Sequence, residues 1–166
     1  MSGPTVELGT LEDLEAISGI YEHYVLTSQH TFDLEPRPMS WWRDWFSAFS
    51  DHGRHRLLVA REEVELCGYA FSGPYRPRRA YDPSVATSVY VAPGRTGVGV
   101  GTAMYRALLG MLEVEDVHRA YAAIAMPNPA SVHLHERFGF RQAGYFSEQG
   151  QKFGRYWDVA WYERRF

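Results

Sequence analysis

Cysteine is nearly absent. Cys67 stands alone among 166 residues, so no disulfide can form within the chain. Its place in an apolar run reads as a small buried hydrophobe in a reducing compartment. Long apolar runs are also missing: no stretch approaches the roughly 20 residues that a membrane span needs. The opening MSGPTVELGT lacks the basic-then-apolar pattern of a secretion signal, and the expected location is the cytoplasm. No internal repeat and no low-complexity linker divides the chain, so residues 1–166 read as one domain. Excess positive charge is lacking too. A formal net charge of -3 argues against nucleic-acid binding through overall charge and leaves only a local basic patch open. His133 and His135 could suggest a metal pair, but side chains two apart on a helix diverge. No nearby Cys or Asp completes a ligand set, and no metal is expected.

What is present fits an ordinary globular domain. The chain is 45% apolar, 22% charged and 15% aromatic, enough for a sizeable core and for aromatic pocket walls. PTVELGT is a short strand candidate. Thr10 then caps a helix, with Asp13 in the acidic position of a capping-box-like pattern. Leu11, Leu14, Ile17 and Tyr24 recur at helical spacing. After the loop TSQHTFDLEPRP, Ser40 is expected to cap a second helix. Trp42, Trp45, Phe46 and Phe49 would share its apolar face, and with Trp41 they read as core. HRLLVARE and VELCGYAFSGP read as strands joined by a tight charged turn around Arg61–Glu63. VATSVYVA is a further strand, followed by a helix on Val100, Met104 and Met111. HRAYAAIA is a strand. Asn128 and Pro129 start a helix that Gly139 stops. FGFRQAGYF and GRYWDVAWYERRF finish the chain as strands. The order β-α-α-β-β-β-α-β-α-β-β predicts an α/β sandwich on a mixed sheet.

Gly97, Gly99 and Gly101 alternate just before the central helix. Backbone without Cβ atoms can curl and aim successive N–H groups at one anion, and the helix adds its free N–H groups and dipole. A P-loop would need Lys-Ser or Lys-Thr after the last glycine, but Thr102 and Ala103 follow. A dinucleotide fingerprint would need G-x-G-x-x-G and an acid ending the next strand, and HRAYAAIAMP has none there.

VYVAPGRTGVGVGTAMY resembles the acyl-CoA pyrophosphate loop of the GNAT N-acetyltransferases, (Gln/Arg)-x-x-Gly-x-Gly/Ala. Thr96 takes the first position, with Gly99 and Gly101 as the glycines. Arg95 beside it is a source of positive charge. NPASVHLHERFGF resembles the family's N-x-x-A/S-x-x-x-Y-E-K-x-G-F, with His135 in place of the tyrosine. YVLTSQHTFDLEP, SGPYRPRRAYDPSVATSVYV, IAMPNPASVHLHE and GRYWDVAW are together similar to the phosphinothricin acetyltransferase-like branch, whose members also acetylate methionine sulfone or sulfoximine. The resemblance runs from about Val6 to Tyr162.

The resemblance implies the GNAT fold, a mixed and mostly antiparallel sheet flanked by helices, and acetyl-CoA as co-substrate. Acetyl-CoA would meet Val89, Tyr90 and Val91 on the strand, Arg95, Thr96, Gly97, Val98, Gly99, Val100, Gly101 and Thr102 in the loop, and Asn128 and Ser131 after it. A backbone N–H at or near Val89 would hold the oxyanion, and His135 would protonate the departing thiolate; read from the helix alone, His135 could instead satisfy a core hydrogen bond. Phe32 and Glu35 would line the acceptor pocket. RPRR by itself could be a solvated charge run, a nucleic-acid patch or a carboxylate clamp; the resemblance favours the clamp, with Arg76 and Arg78 holding a substrate carboxylate and Tyr81 nearby. The acceptor would be the α-amine of a small amino-acid-like molecule, and a homodimer is implied. One departure concerns the base: relatives in this branch carry a glutamate where this chain has Ala86. Glu35, Asp82 or His133 could act through water, or the acceptor's amine could have a low pKa. The alternatives are an enzyme acting on another amine, such as a polyamine or peptide N-terminus, and a non-catalytic acyl-CoA-binding module.

Overall fold

The computed structural model describes residues 3–166. Its elements follow the expected order: β1 (Thr5–Leu8), α1 (Leu14–Thr27), α2 (Met39–Phe46), β2 (Leu57–Glu62), β3 (Glu65–Pro74), β4 (Ser84–Val91), α3 (Val100–Leu112), β5 (Arg119–Ala125), α4 (Pro129–Arg137), β6 (Arg141–Lys152) and β7 (Arg155–Arg165). The seven strands form one sheet in the order β1-β2-β3-β4-β5-β7-β6. Only β4 and β5 run parallel; every other neighbouring pair is antiparallel.

β2 shows why the sheet is covered on both faces. Successive side chains of a strand point to opposite sides. Leu57 and Val59 join a cluster with Leu14, Ile17 and Ile20 of α1 and Trp42 of α2. Leu58 and Ala60 join the other cluster, with Val100, Met104, Leu108 and Leu112 of α3. Both faces are therefore apolar, and β2 reads as a continuous hydrophobic run. Trp45, Phe46 and Phe49 pack on the first cluster beside Trp42, as their spacing predicts. Cys67 is fully buried in the second cluster.

Two helix starts differ in detail from the sequence expectation. Thr10 caps a 3-10 turn, Leu11–Asp13, that runs straight into α1. The Asp13 carboxylate accepts from the Thr10 N–H at 2.8 Å and from its hydroxyl at 3.0 Å. Ser40 is not the cap of α2; Pro38 is. Pro38 enters extended at φ -68°, ψ 157°, and its carbonyl accepts from the N–H groups of Trp41 and Trp42. The fixed proline φ thus presets the entry, and Ser40 is already helical. No helix among the described residues is long and apolar enough to cross a membrane.

Candidate active site

β4 and β5 share only three rungs: Ser84 with Arg119, Val85 with Ala120 and Ala86 with Tyr121. Beyond Ala86 the strands part. Each stays paired on its outer side, β4 to β3 as far as Val91 and β5 to β7 as far as Ala125. The split leaves two facing backbone edges without a strand partner, and their polar groups need water or a ligand. A groove of about 540 Å³ occupies this split.

The glycine loop closes one end of the groove. Gly97 and Gly99 have φ of +78° and +96°, a region in which side chains with a Cβ are strained. Gly99 is also the N-cap of α3, and its carbonyl accepts from the Ala103 N–H at 2.9 Å. The N–H groups of Val100, Gly101 and Thr102 precede that first helical bond and have no partner inside the helix. Thr96, Gly97, Gly99, Gly101 and Thr102 all line the groove. The arrangement suits a phosphate group. Three residues expected around that phosphate do not turn a free side chain to it. The Arg95 guanidinium binds Glu62 and Glu65, each at 2.6 Å, so its charge is already met. Val98 is exposed, and Val100 is buried in the core, so these two could serve only through their backbones.

Val89, Tyr90 and Val91 form one wall, and Ala122 to Ala125 the other. The Tyr24 hydroxyl donates to the Val91 carbonyl at 2.6 Å, tying α1 to the end of β4. Asn128 and Ser131 line the floor. The Asn128 side chain accepts from the Ser131 N–H at 3.2 Å and caps α4.

His135 also borders the groove, but its ring is 4% exposed. Nδ1 lies 2.7 Å from the Ser131 carbonyl, which can only accept, so Nδ1 carries the proton. Nε2 then accepts from the Tyr105 hydroxyl at 2.7 Å. Tyr105 in turn lies 2.8 Å from the Thr87 hydroxyl. Burial lowers the His135 pKa, opposed by the bond to Ser131, and keeps the ring neutral. In this arrangement both ring nitrogens are engaged, and His135 ties α4 to α3.

A second cavity, about 380 Å³, adjoins the groove. Phe32 and Trp161 line it, with Thr31, Gln149 and Val159. His30, Ala123 and Ala125 line both spaces and mark their junction. An aromatic wall extends outward. Trp161 meets Tyr75 edge-on at 6.3 Å, and Tyr75 stacks on Tyr121 at 4.3 Å. The Arg76 guanidinium rests over Tyr75 and Tyr81, 5.2 and 5.8 Å from the ring centres. Arg76, Arg78 and Glu35 are exposed and line neither space. Of the candidate bases, His133 lines the groove, whereas Asp82 and Glu35 do not. No group of three or more potential metal ligands occurs among the described residues.

Sequence reasoning missed Tyr24, His30, Thr87, Tyr105 and Trp161. A tyrosine at helical spacing reads as core, and Tyr105 is indeed fully buried. No local signal distinguishes the few that also hold polar partners.

Most of the chain matches known proteins. The family model described as an acetyltransferase (GNAT) domain matches residues 6–161. A phosphinothricin N-acetyltransferase of Streptomyces coelicolor is 52% identical over 161 residues, covering 96% of this chain and 94% of the relative. An L-methionine sulfoximine/L-methionine sulfone acetyltransferase of Pseudomonas paraeruginosa is 33% identical over 148 residues, covering 89% and 86%. The crystal structure of a GNAT phosphinothricin acetyltransferase from Sinorhizobium meliloti, in complex with AcCoA, superposes with a TM-score of 0.94 at 30% identity, covering 99% of this chain and 89% of that one. With the split sheet, the glycine loop and these matches together, the chain belongs to the GNAT acetyltransferase family.

Proposed function

We propose that this protein moves acetyl from acetyl-CoA to the α-amine of a small amino-acid-like acceptor of the phosphinothricin and methionine sulfone or sulfoximine class. We place it in the cytoplasm as a homodimer. The observation that carries the reading is the junction of two spaces at His30, Ala123 and Ala125. One space has a phosphate-binding loop at its far end. The other is small and walled by aromatic rings. A thioester delivered along the first would meet an amine seated in the second.

Each part of the groove then has a task. The free N–H groups of Gly97 to Thr102 take the pyrophosphate. The pantetheine arm lies along the open edges of β4 and β5, as an added strand would. The amine's lone pair attacks the thioester carbonyl carbon. The oxygen gains the electron pair and is met by the backbone N–H at or near Val89. Collapse breaks the C–S bond and releases the thiolate. Arg76, held over Tyr75 and Tyr81, is a cation against the aromatic wall and is assigned to the acceptor's carboxylate. The phosphinothricin and methionine sulfoximine/sulfone names of the relatives support that class.

The test is thiol release from acetyl-CoA with L-phosphinothricin, L-methionine sulfone and spermidine offered in parallel. Turnover is expected with the two amino acids and not with the polyamine. A preference for spermidine would overturn the acceptor class. Tight acetyl-CoA binding with no turnover on any amine would leave a binding module.

A further inference from the structure

The groove lacks the carboxylate that the resemblance would place at residue 86. Ala86 sits on the last rung between Gly73 and Tyr121 and can accept no proton. The acceptor amine still has to lose one, because a free amino acid's amine is mostly protonated at neutral pH. The group to look for must lie where the two spaces meet, must be unprotonated near pH 7, and must have a free lone pair.

We infer that His30 is the base that takes the proton from the acceptor amine. Among the described residues, His30 is the one titratable side chain that lines both the acetyl-CoA groove and the second cavity. It lies in the loop between α1 and α2, half-buried, with its ring 6.0 Å from that of Tyr24. The His30 backbone N–H donates to Ser28 Oγ at 3.2 Å and fixes the turn. Its ring makes no hydrogen bond to the described residues, so one nitrogen is free to accept. His135, by contrast, has both nitrogens engaged.

The surroundings favour the neutral ring. Burial is the main cause that lowers the His30 pKa below its ordinary 6.5, and the Lys152 cation adds to it. Lys152, at the end of β6, is held beside the loop by donating to the Thr31 carbonyl at 2.8 Å. The other ionisable groups nearby are Tyr24 on α1, Asp33 in the same loop, and His133 and Arg137 on α4 along the groove. Tyr24 stays protonated, since burial raises its pKa. A base whose pKa lies below neutrality is a modest acceptor but is mostly in its active form at pH 7.

The step balances as follows. The acceptor ammonium gives one proton to His30 and becomes a neutral amine. Its lone pair forms the C–N bond, and the carbonyl pair moves to oxygen. The C–S bond breaks, and the nitrogen's surplus proton passes to the thiolate, giving the thiol. His30 returns its proton to solvent. This assignment rests on the acetyl-transfer reading.

The test compares wild type, His30→Ala and His30→Gln over pH 6 to 10 with methionine sulfone, phosphinothricin and simple primary amines. At pH 7 both variants should lose about 100-fold in kcat, at the low end of the roughly 10²–10⁴ expected for a general base. Their KM for acetyl-CoA should not change, which also shows that they are folded. The deficit should shrink as pH rises and solvent itself frees the amine. Added imidazole should restore part of the His30→Ala rate. Variants that match wild type at pH 7 would overturn the base and leave the acetyl-transfer reading intact. So would a deficit constant with pH that imidazole does not relieve. His30-dependent turnover only on amines without a carboxylate would uphold the base and overturn the acceptor class. A wild type inactive on every amine would overturn both.

Discussion

Ser131, His135, Tyr105 and Thr87 form a chain, buried from His135 inward, in which each hydrogen bond fixes the next. Replacing His135 by Ala leaves the Tyr105 hydroxyl with Thr87 alone and opens a void between α4 and α3. The expected loss is about 1–3 kcal/mol of stability, from the lost bond and the void. The readout is the urea midpoint. Turnover per folded molecule should stay within about tenfold, because loss of a true proton donor would cost roughly 10²–10⁴. A second readout is pH. Burial holds the folded pKa of His135 below 6.5, so on acidification the unfolded chain takes up a proton before the folded one does. The stability from this neutral ring is present above about pH 6.5 and falls as pH drops below it. His135→Ala should flatten that slope. At this scale the sequence was legible where the groove is shaped by backbone. Gly97, Gly99, Gly101 and the Asn128 cap were all readable from spacing. It was poorly legible where function uses partners distant in the chain. Nothing in GRTG shows that Arg95 is met by Glu62 and Glu65, and nothing in TSQHTF shows that His30 faces a groove built from β4 and β5.

The start of α3 combines two demands on one short segment, and they can be separated. Gly99 has a positive φ, so any replacement there strains the backbone as well as blocking a ligand. Gly101 lies within the first turn of the helix and lines the groove. A Cβ at Gly101 would meet Leu134, Val91 and Val89 at 3.5 to 3.8 Å, ordinary contact distances. The Cβ of Gly101→Glu therefore fits without a clash, and the variant is expected to fold. Leaving glycine gains about 0.5–1 kcal/mol of helix propensity. A carboxylate in the first turn adds roughly 0.3–1 kcal/mol through the dipole. The same carboxylate stands where the pyrophosphate should go. The variant should match or exceed wild type in melting temperature yet lose at least about 100-fold in acetyl-CoA affinity by calorimetry, from like charge and lost space. Unchanged affinity would move the pyrophosphate elsewhere. The elements themselves were the most legible level. Their order and type follow from periodicity and from the Asn128-Pro129 and Gly139 signals. The Pro38 cap of α2 was missed because Ser40 has the better capping chemistry, whereas the proline's fixed φ decided the entry.

Across the whole molecule, the sheet is two halves, β1 to β4 and β5 to β7, whose strands join through three rungs. The order of the elements was readable, but the placement of β7 between β5 and β6 was not. Both of its pairings are settled by packing between distant segments, which local propensity does not encode. The split has a thermodynamic consequence. A ligand laid along both open edges binds the folded chain and not the unfolded one. Saturation at 100 times Kd should add about 2.7 kcal/mol. For a chain of this length each kcal/mol raises Tm by about 2–4 °C, so acetyl-CoA should raise Tm by roughly 5–11 °C. Gly101→Glu should show none of that rise. The location of the gain is the sharper prediction. Amides of residues 87–91 and 122–125 that face the groove have no strand partner there and should exchange quickly in the free protein. With acetyl-CoA bound they should gain more protection than the β2–β3 pair, which is closed already. A rise in Tm with uniform protection across the sheet would mean that the ligand stabilises the fold without lying in the split.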